Sequence, residues 1–470
     1  MALTKAHNRM IAGAYVNVLD FGATGDGTTD DTAAIQAAFD YAKDNDNSTV
    51  FLPAGEYLVS SPLIVEADTA GFKGTVNIIG VGADASIIKS SVNTGAVIDY
   101  TQSASLRFHR QVQIENLCIR QAVAGTDAHG IRMTGAIQVT ISGCLFDTLD
   151  GDGVHLANVA GDTDFIVEVR IWGNEFRNCG GYGIGGSSTI TGYAGHSFQR
   201  NRITDCNGGM LIGAYGGEVL LNTIANTLAG TENPDIKIIY TGLTANRWVI
   251  RQNWFEKGRV GVFLIEGAIN CLFDRNYIAY NDANSGSYGF KLSGVASKRD
   301  CVFSNNTFVI DPAITFVAFE DDANTNGCKI VNSRYQAFAG GSHTKYDLDQ
   351  GSGWSIEDLG FKLLSEKQGI VNSTNTGGTY TPDLLAGTVH RPVFTTTASI
   401  AIGNPTAYAT AGTTIDLLIG NQTGSPVTPT FGTSWFAQSI PSIPNGGWAT
   451  ARFIYDGTSN VFRQIGGWSI

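Results

Sequence analysis

Two six-residue segments, Asp127-Ala-His-Gly-Ile-Arg132 and Asp150-Gly-Asp-Gly-Val-His155, hold the densest chemistry in the chain. Setting Gly130 on Gly153 aligns Asp127 with Asp150 and His129 with Asp152. If the segments are neighbouring strands of one sheet, carboxylates in register lie roughly 5 Å apart. That is close to the ~5–5.5 Å of a retaining glycosidase pair, whereas a diagonal pairing of Asp127 with Asp152 suits the ~6.5–9.5 Å of an inverting one. Like charges this close raise one pKa, which keeps one group protonated as the acid. Asp127, Asp150 and Asp152 are therefore the candidate catalytic residues, with His129, Arg132 and His155 beside them as substrate contacts. The competing reading is that Asp and Gly serve only the backbone of a turn.

A second group follows: Asp235, Lys237, Tyr240, Glu256 and Glu266, with Trp254 and Tyr277 aligned on a different sheet. Aromatic faces suit the apolar C–H patches of sugar rings, and they serve equally well as subunit contacts. Glu320-Asp-Asp322 reads as a solvated loop. The seven cysteines form no zinc-type pair and read as reduced, buried thiols. No metal or cofactor is expected in this hydrolytic reading.

The elements that must position these groups come from a repeat. The pattern apolar–x–x–Asn–x–apolar recurs nine times, with departures at the Asn, from Ile114-Glu-Asn-Leu-Cys-Ile119 through Phe198-Gln-Arg-Asn-Arg-Ile203 to Ile330-Val-Asn-Ser-Arg-Tyr335. Its mean spacing is roughly 27 residues, the signature of a solenoid. Asn tolerates the left-handed conformation of a tight bend, so Asn174, Asn201, Asn222, Asn253, Asn276 and Asn306 are expected there, stacked as an amide ladder. A glycine-led strand lies between copies, as in Gly130-Ile-Arg-Met133, Gly153-Val-His-Leu156, Gly209-Met-Leu-Ile212, Gly261-Val-Phe-Leu264 and Gly289-Phe-Lys-Leu292. Three strands per coil make an all-β parallel β-helix of roughly eleven coils. Ile131, Met133, Val154 and Leu156 point inward in this register, and Arg132 and His155 outward.

An exposed solenoid end needs a cap. Thr28 or Thr29 is expected to N-cap a helix near 29–44, with Asp30 and Asp31 in its first turn and Ile35, Ala38, Phe39 and Ala42 on its buried face. Residues 1–16 read as an arm, 17–345 as the β-helix, 346–385 as a polar connector and 386–470 as an antiparallel β-sandwich closed by a hairpin.

Composition agrees: 58 of 470 residues are glycine, above the roughly 7% average, and only 15% are charged. A net charge of −12 argues against nucleic-acid binding. The first residues, MALTKAHNRMIAGAY, lack a secretory apolar core, and no stretch reaches the ~18 apolar residues of a membrane span. A soluble chain made in a cytoplasm is expected.

The run Asn17-Val-Leu-Asp-Phe-Gly-Ala-Thr-Gly-Asp-Gly-Thr-Thr-Asp-Asp-Thr-Ala-Ala-Ile-Gln-Ala-Ala37, followed by Phe51-Leu-Pro-Ala-Gly-Glu-Tyr57, resembles the opening of pectate-lyase-like β-helix proteins, bacteriophage tailspikes in particular. With the repeats, the resemblance covers about residues 17–345. It implies a right-handed, single-stranded β-helix and a homotrimeric virion spike. Such a spike would bind and depolymerise a bacterial surface polysaccharide, whether capsule, exopolysaccharide or O-antigen, and join the phage tail or an adaptor through its N-terminus. Polygalacturonase members use a set of aspartates and a Gly-His-Gly, of which Asp150-Gly-Asp152 is a partial echo. Glycosidic hydrolysis is the first reading. A lyase would instead hold Ca²⁺ with Asp127, Asp150 and Asp152 and act on the substrate proton through Arg132 or Lys237. A binding-only spike would cut nothing.

Overall fold

The computed structural model describes residues 14–45, 49–66, 76–101, 109–122, 125, 127–157, 166–186, 195–213, 215–225, 233–239, 245–256, 260–280, 288–294, 296–310, 316–321, 324–337, 343–348, 354–357, 370–375, 379–382, 389–395, 401–404, 414–456 and 461–469. One compact unit runs through Lys329 and includes 339–354; the other holds 330–338 and 355–470.

The first unit is a solenoid of three parallel sheets. One coil consists of Arg170–Trp172 in the first sheet, Glu175–Arg177 in the second and Tyr182–Gly186 in the third. Each strand pairs with its equivalents about one coil away, as Ile171 does with Phe198 and Phe176 with Ile203. The third sheet holds 11 strands among the described residues, from Leu63–Glu66 to His343–Asp347. Among the described residues, its register sets Ile131 on Val154, Arg132 on His155 and Met133 on Leu156. Ile131, Met133 and Val154 are fully buried.

Like residues stack along the axis. Phe146 lies 4.8 Å from Phe176, and Phe273 lies 4.7 Å from Phe303, ring on ring. Each such side chain contributes about 1.5–3 kcal/mol on burial. This packing also explains the repeat glycine. A Cβ on Gly153 would stand 2.3 Å from the ring of Phe176, and its φ is not left-handed. Lack of room, and not backbone freedom, keeps glycine there.

The ladder is continuous. The Nδ2 of Asn174 donates to Oδ1 of Asn201 at 3.1 Å, and the same bond links Asn201 to Asn222, Asn222 to Asn253, Asn253 to Asn276 and Asn276 to Asn306. Each amide also donates to a first-sheet carbonyl, as Asn222 does to Phe198 at 2.9 Å. The expectation that these asparagines take the left-handed conformation is corrected, because the residue before each one does so: Gly173, Arg200, Leu221, Gln252, Arg275 and Asn305 all have positive φ. The ladder Asn is required for its amide, and the bend falls where the side chain can point to solvent.

One further expectation changes. Gly261 pairs with Tyr288, and Phe263 with Phe290, so Phe263 and Ile265 point inward and Leu264 outward. The uninterrupted apolar run Gly261-Val-Phe-Leu-Ile265 concealed that one-residue slip. The seven cysteines are free and buried.

The helix spans Thr32–Asp44 and buries Ile35, Ala38, Phe39 and Ala42. It starts later than expected because Asp26–Asp30 forms a strand beside Gly55–Val59. Asp31 occupies the N-cap position, but its carboxylate accepts from Thr24 N, Thr24 Oγ1 and Gly25 N.

In the second unit, Ile370–Asn375, Val389–Phe394 and Thr414–Asn421 run parallel. A smaller sheet of Thr379–Tyr380, Ala401–Ile402 and Thr430–Phe431 is also parallel. The chain alternates between these two sheets before Trp448–Asp456 and Val461–Ser469 close as an antiparallel hairpin. The expected all-antiparallel sandwich is thus corrected to a mixed one, and part of the expected connector is an edge strand. Asn372-Ser-Thr-Asn375 reads as a linker in sequence, and its strand stands at the end of the sheet. The core of this unit gathers Ile415, Leu417, Ile419, Trp435 and Phe453.

Candidate functional site

Two side-chain rows run along the third sheet. The outward row places Asp99, Arg132, His155 and Gly185 in register, and continues through Leu211, Lys237, Leu264, Lys291 and Glu320. Beside it, where the chain enters each strand, stand His129, Asp152 and Tyr182, each one residue before a repeat glycine.

Asp152 is the hub. Its Oδ2 lies 2.6 Å from Nδ1 of His155, and its Oδ1 accepts the backbone N–H of Tyr182 at 2.6 Å. Its own N–H donates to Nδ1 of His129 at 2.8 Å. The imidazoles of His129 and His155 stack with centroids 4.1 Å apart.

These partners determine the tautomers. A carboxylate only accepts, so Nδ1 of His155 carries a proton, and in the neutral ring Nε2 is the atom with the lone pair. A backbone N–H only donates, so Nδ1 of His129 is the acceptor and its Nε2 carries the proton. Burial, with His155 as the next contributor, pushes the His129 pKa down and holds that ring neutral. The stack therefore presents one proton acceptor beside one proton donor. Both side chains are largely enclosed, 17% exposed for His155 and 10% for His129.

Small residues make space for this hub. A Cβ on Gly185 would lie 2.1 Å from Oδ2 of Asp152, and one on Gly181 would lie 2.3 Å from Oδ1. Tyr182 is held as a neutral phenol, its pKa raised by burial first and by Asp152 second, and it donates to Oδ1 of Asn233 at 2.9 Å. Tyr182, Gly181, Gly185 and Asp99 escaped sequence reasoning. The signal for Tyr182 was present, because it precedes Gly183 as His129 precedes Gly130.

Of the other expected residues, Asp127 is 71% exposed, with Oδ1 at 3.7 Å from Nε2 of His129. Asp150 occupies the bend that leads into the next strand of the sheet, Val154–Ala157. Its Oδ2 accepts the N–H of Gly125, and its N–H donates to Oε1 of Gln121 at 2.9 Å, so it braces a turn. Arg132 is held by both oxygens of the buried Asp99, which raises its pKa further through the hydrogen bonds. It stands in the outward row as a cation fixed by that carboxylate. Lys237 pairs at 2.9 Å with Glu266, the residue just after the strand Gly261–Ile265. Asp235 is fully buried, and burial pushes its carboxyl pKa well up, with Tyr280 as its neighbour. Glu256 lies on the second sheet, 3.4 Å from Nε1 of Trp254, which stacks on Tyr277 at 4.2 Å. Tyr240 and Asp322 lie outside the described residues. Glu320 and Asp321 belong to the strand Phe316–Asp321, so the expected solvated loop is corrected. Glu320 pairs with Lys291 at 2.6 Å, and Asp321 accepts from Thr325 and Trp354.

Among the described residues, Asp127, Asp150 and Asp152 do not gather into a cluster of the oxygen-rich kind Ca²⁺ prefers. His129, Asp152 and His155 do offer ligand atoms within 4.8 Å of one another, a donor set suited to a transition metal. Nδ1 of both rings is already hydrogen-bonded within the cluster, so a metal would meet the rings at their Nε2 atoms or replace those bonds.

Residues 15–231 match a family model described as rhamnogalacturonase A/epimerase, pectate lyase-like. A 73-residue alignment is 51% identical to a mannuronan C5-epimerase of Azotobacter vinelandii, covering 16% of this chain and 5% of that protein. Alginate lyase 7 of the same organism is 49% identical over 73 residues, covering 16% of this chain and 8% of that protein. The alignments thus span small fractions of these curated relatives. In fold, the chain is similar to the endo-xylogalacturonan hydrolase of Aspergillus tubingensis, with TM-score 0.51 and 12% identity over 73% of this chain and 99% of that one.

Proposed function

We propose that the chain is a carbohydrate-active enzyme that works on a uronate-containing polysaccharide by withdrawing the proton next to the sugar carboxylate. The observation that carries this reading is the His155–Asp152 dyad stacked on His129, an imidazole lone pair beside an imidazole N–H. Nε2 of His155 takes the ring C–H proton, and the C–H electron pair moves into the adjacent carboxyl group as an enolate. That pair then forms a carbon–carbon double bond while the bond to the glycosidic oxygen breaks, and the departing oxygen, hydrogen-bonded by Nε2–H of His129, takes the proton held by the His155 imidazolium, so both rings end neutral. Asp152 stabilises the imidazolium formed on His155. Arg132, fixed by Asp99 but with further N–H groups to offer, meets the substrate carboxylate. Return of a proton to the opposite face of the same carbanion would give epimerisation. The family description and the mannuronan and alginate enzymes that share the 73-residue match support this class.

Hydrolysis has one observation of its own: Asp127 and Asp152 flank opposite nitrogens of His129, the diagonal arrangement of an inverting pair. The virion role rests on the opening motif, Asn17 to Ala37 and Phe51 to Tyr57. In that role the chain acts as a homotrimeric spike on a bacterial surface polysaccharide, attached through residues 1–16. Products separate the readings. Elimination leaves a new ultraviolet-absorbing double bond, hydrolysis leaves saturated ends, and epimerisation changes the sugar without shortening the polymer. His155→Gln should abolish turnover with the fold intact, and full turnover in that variant rejects the base. Turnover that survives a chelator excludes a metal at the His129, Asp152 and His155 cluster. Binding to host glycan with no product in any assay leaves a binding-only spike.

A further inference from the structure

The outer face of the first sheet carries groups that the histidine site does not use. Arg170, Ser197 and Glu218 form one outward row, and Trp172 and Gln199 stand in the next. Between them the surface sinks into a groove of about 610 Å³, within the roughly 300–1,000 Å³ range of small-ligand sites. Glycine opens its floor: a Cβ on Gly217 would stand 2.7 Å from the buried Trp248 ring.

The lining has the chemistry of an acidic sugar. Trp172 is 49% exposed and offers a flat apolar face for ring C–H groups. Arg170 and Arg200 make no side-chain hydrogen bond or ion pair among the described residues, and both border the groove. Oε1 of Glu218 accepts from Oγ of Ser197 at 3.0 Å and from Nε2 of Gln199 at 2.5 Å, which leaves Oε2 to accept a sugar hydroxyl. Two cations facing one anion make the groove locally positive on a chain whose net charge is −12. A guanidinium fork matches a carboxylate.

We propose that this groove binds a uronate residue of an acidic polysaccharide, a non-catalytic docking site on a sheet other than the one bearing His155. The proposal rests on the polysaccharide reading of the chain but requires no chemistry at the histidines. A spike holding polymer at two faces gains residence time by raising the effective concentration of chain at its catalytic site.

The test is calorimetric titration of the full chain carrying His155→Gln with oligomers of mannuronate, guluronate and galacturonate, and with neutral malto-oligosaccharides as the contrast. Trp172→Ala and Arg170→Ala, each added to that background, should lose one binding site or weaken binding at least about tenfold. Trp172→Ala alone should leave turnover of short oligosaccharides unchanged. The proposal is overturned if no uronate oligomer binds, if neutral sugars bind equally well, or if both variants bind like the parent. It is also overturned if Trp172→Ala alters the oligomeric state alone, which would make Trp172 a subunit contact. Failure here is distinguishable from failure at the catalytic site. Silent groove variants with an inactive His155→Gln leave the enzyme reading standing, whereas loss of binding in the groove variants with an active His155→Gln removes only the proposed base.

Discussion

Asp152 is the one carboxylate of the cluster whose oxygens are both committed to groups that could act in catalysis or shape the site. Asp152→Asn puts an amide where Nδ1–H of His155 needs an acceptor, so the ring can adopt the other tautomer and point its N–H at the substrate. Turnover should fall about 10²–10⁴-fold, measured by product release with the circular dichroism spectrum unchanged. Gly185→Ala should cost nearly as much although it removes no functional group, because its Cβ would meet Oδ2 of Asp152 at 2.1 Å and push the carboxylate off His155. An active Gly185→Ala enzyme would mean that this carboxylate tolerates displacement. Asp150→Asn, by contrast, keeps a side-chain oxygen for the N–H of Gly125 and should retain activity within a few-fold. This reverses the ranking that residue types alone suggest. Asp127, Asp150 and Asp152 look alike as letters, and only the packing of Gly125, Tyr182 and two imidazoles around them separates a brace from a site.

The coil is the element at which this chain was most legible. Stacking forces the same residue type into the same place in each turn, so the ladder, the three-sheet register around Gly130 and Gly153, and the outward aim of Arg132 and His155 could all be read from spacing. What spacing could not show was where φ turns positive, which row lies beside the outward one, and how far a wholly apolar strand such as Gly261–Ile265 slips. Those depend on contacts between coils. The ladder carries its own prediction. Asn222→Ala removes the acceptor for Asn201 and the donors to Asn253 and Phe198 in a fully enclosed bend. Each orphaned buried group costs about 1–3 kcal/mol, so chemical denaturation should show a loss of several kcal/mol. One residue earlier, Leu221 holds φ 58° with its side chain exposed. Leu221→Gly should therefore stabilise the chain by about 1 kcal/mol, and a destabilised variant would show that Leu221 earns its place by a contact outside the chain.

At the scale of the whole molecule, two buried titratable groups pull stability in opposite directions with pH. Burial pushes the Asp235 carboxyl upward, so its contribution is complete below the unfolded value and drains as pH rises toward the folded one. His196 does the reverse. It is sealed inside the solenoid between Phe198 and Trp248, and its Nδ1 faces the backbone N–H of Val169 at 3.4 Å, so the ring is held neutral with its pKa lowered to about 3 by burial. The unfolded chain takes up that proton first as pH falls below the ordinary value of about 6.5. Stability that is complete above that value is then lost at about 1.4 kcal/mol per pH unit, and the loss approaches roughly 5 kcal/mol near pH 3. His196→Phe keeps a ring in the stack and removes the proton. Repacking and the Val169 N–H will set a constant offset between variant and wild type, but the slope of their difference belongs to the imidazole. Denaturant unfolding from pH 7 down to pH 4 should show the variant gaining on wild type by about 1.4 kcal/mol for each unit below 6.5. A difference that stays flat across that range would mean that His196 keeps an ordinary pKa in the fold, and that acid weakens the solenoid through other groups, the likewise depressed His129 first among them.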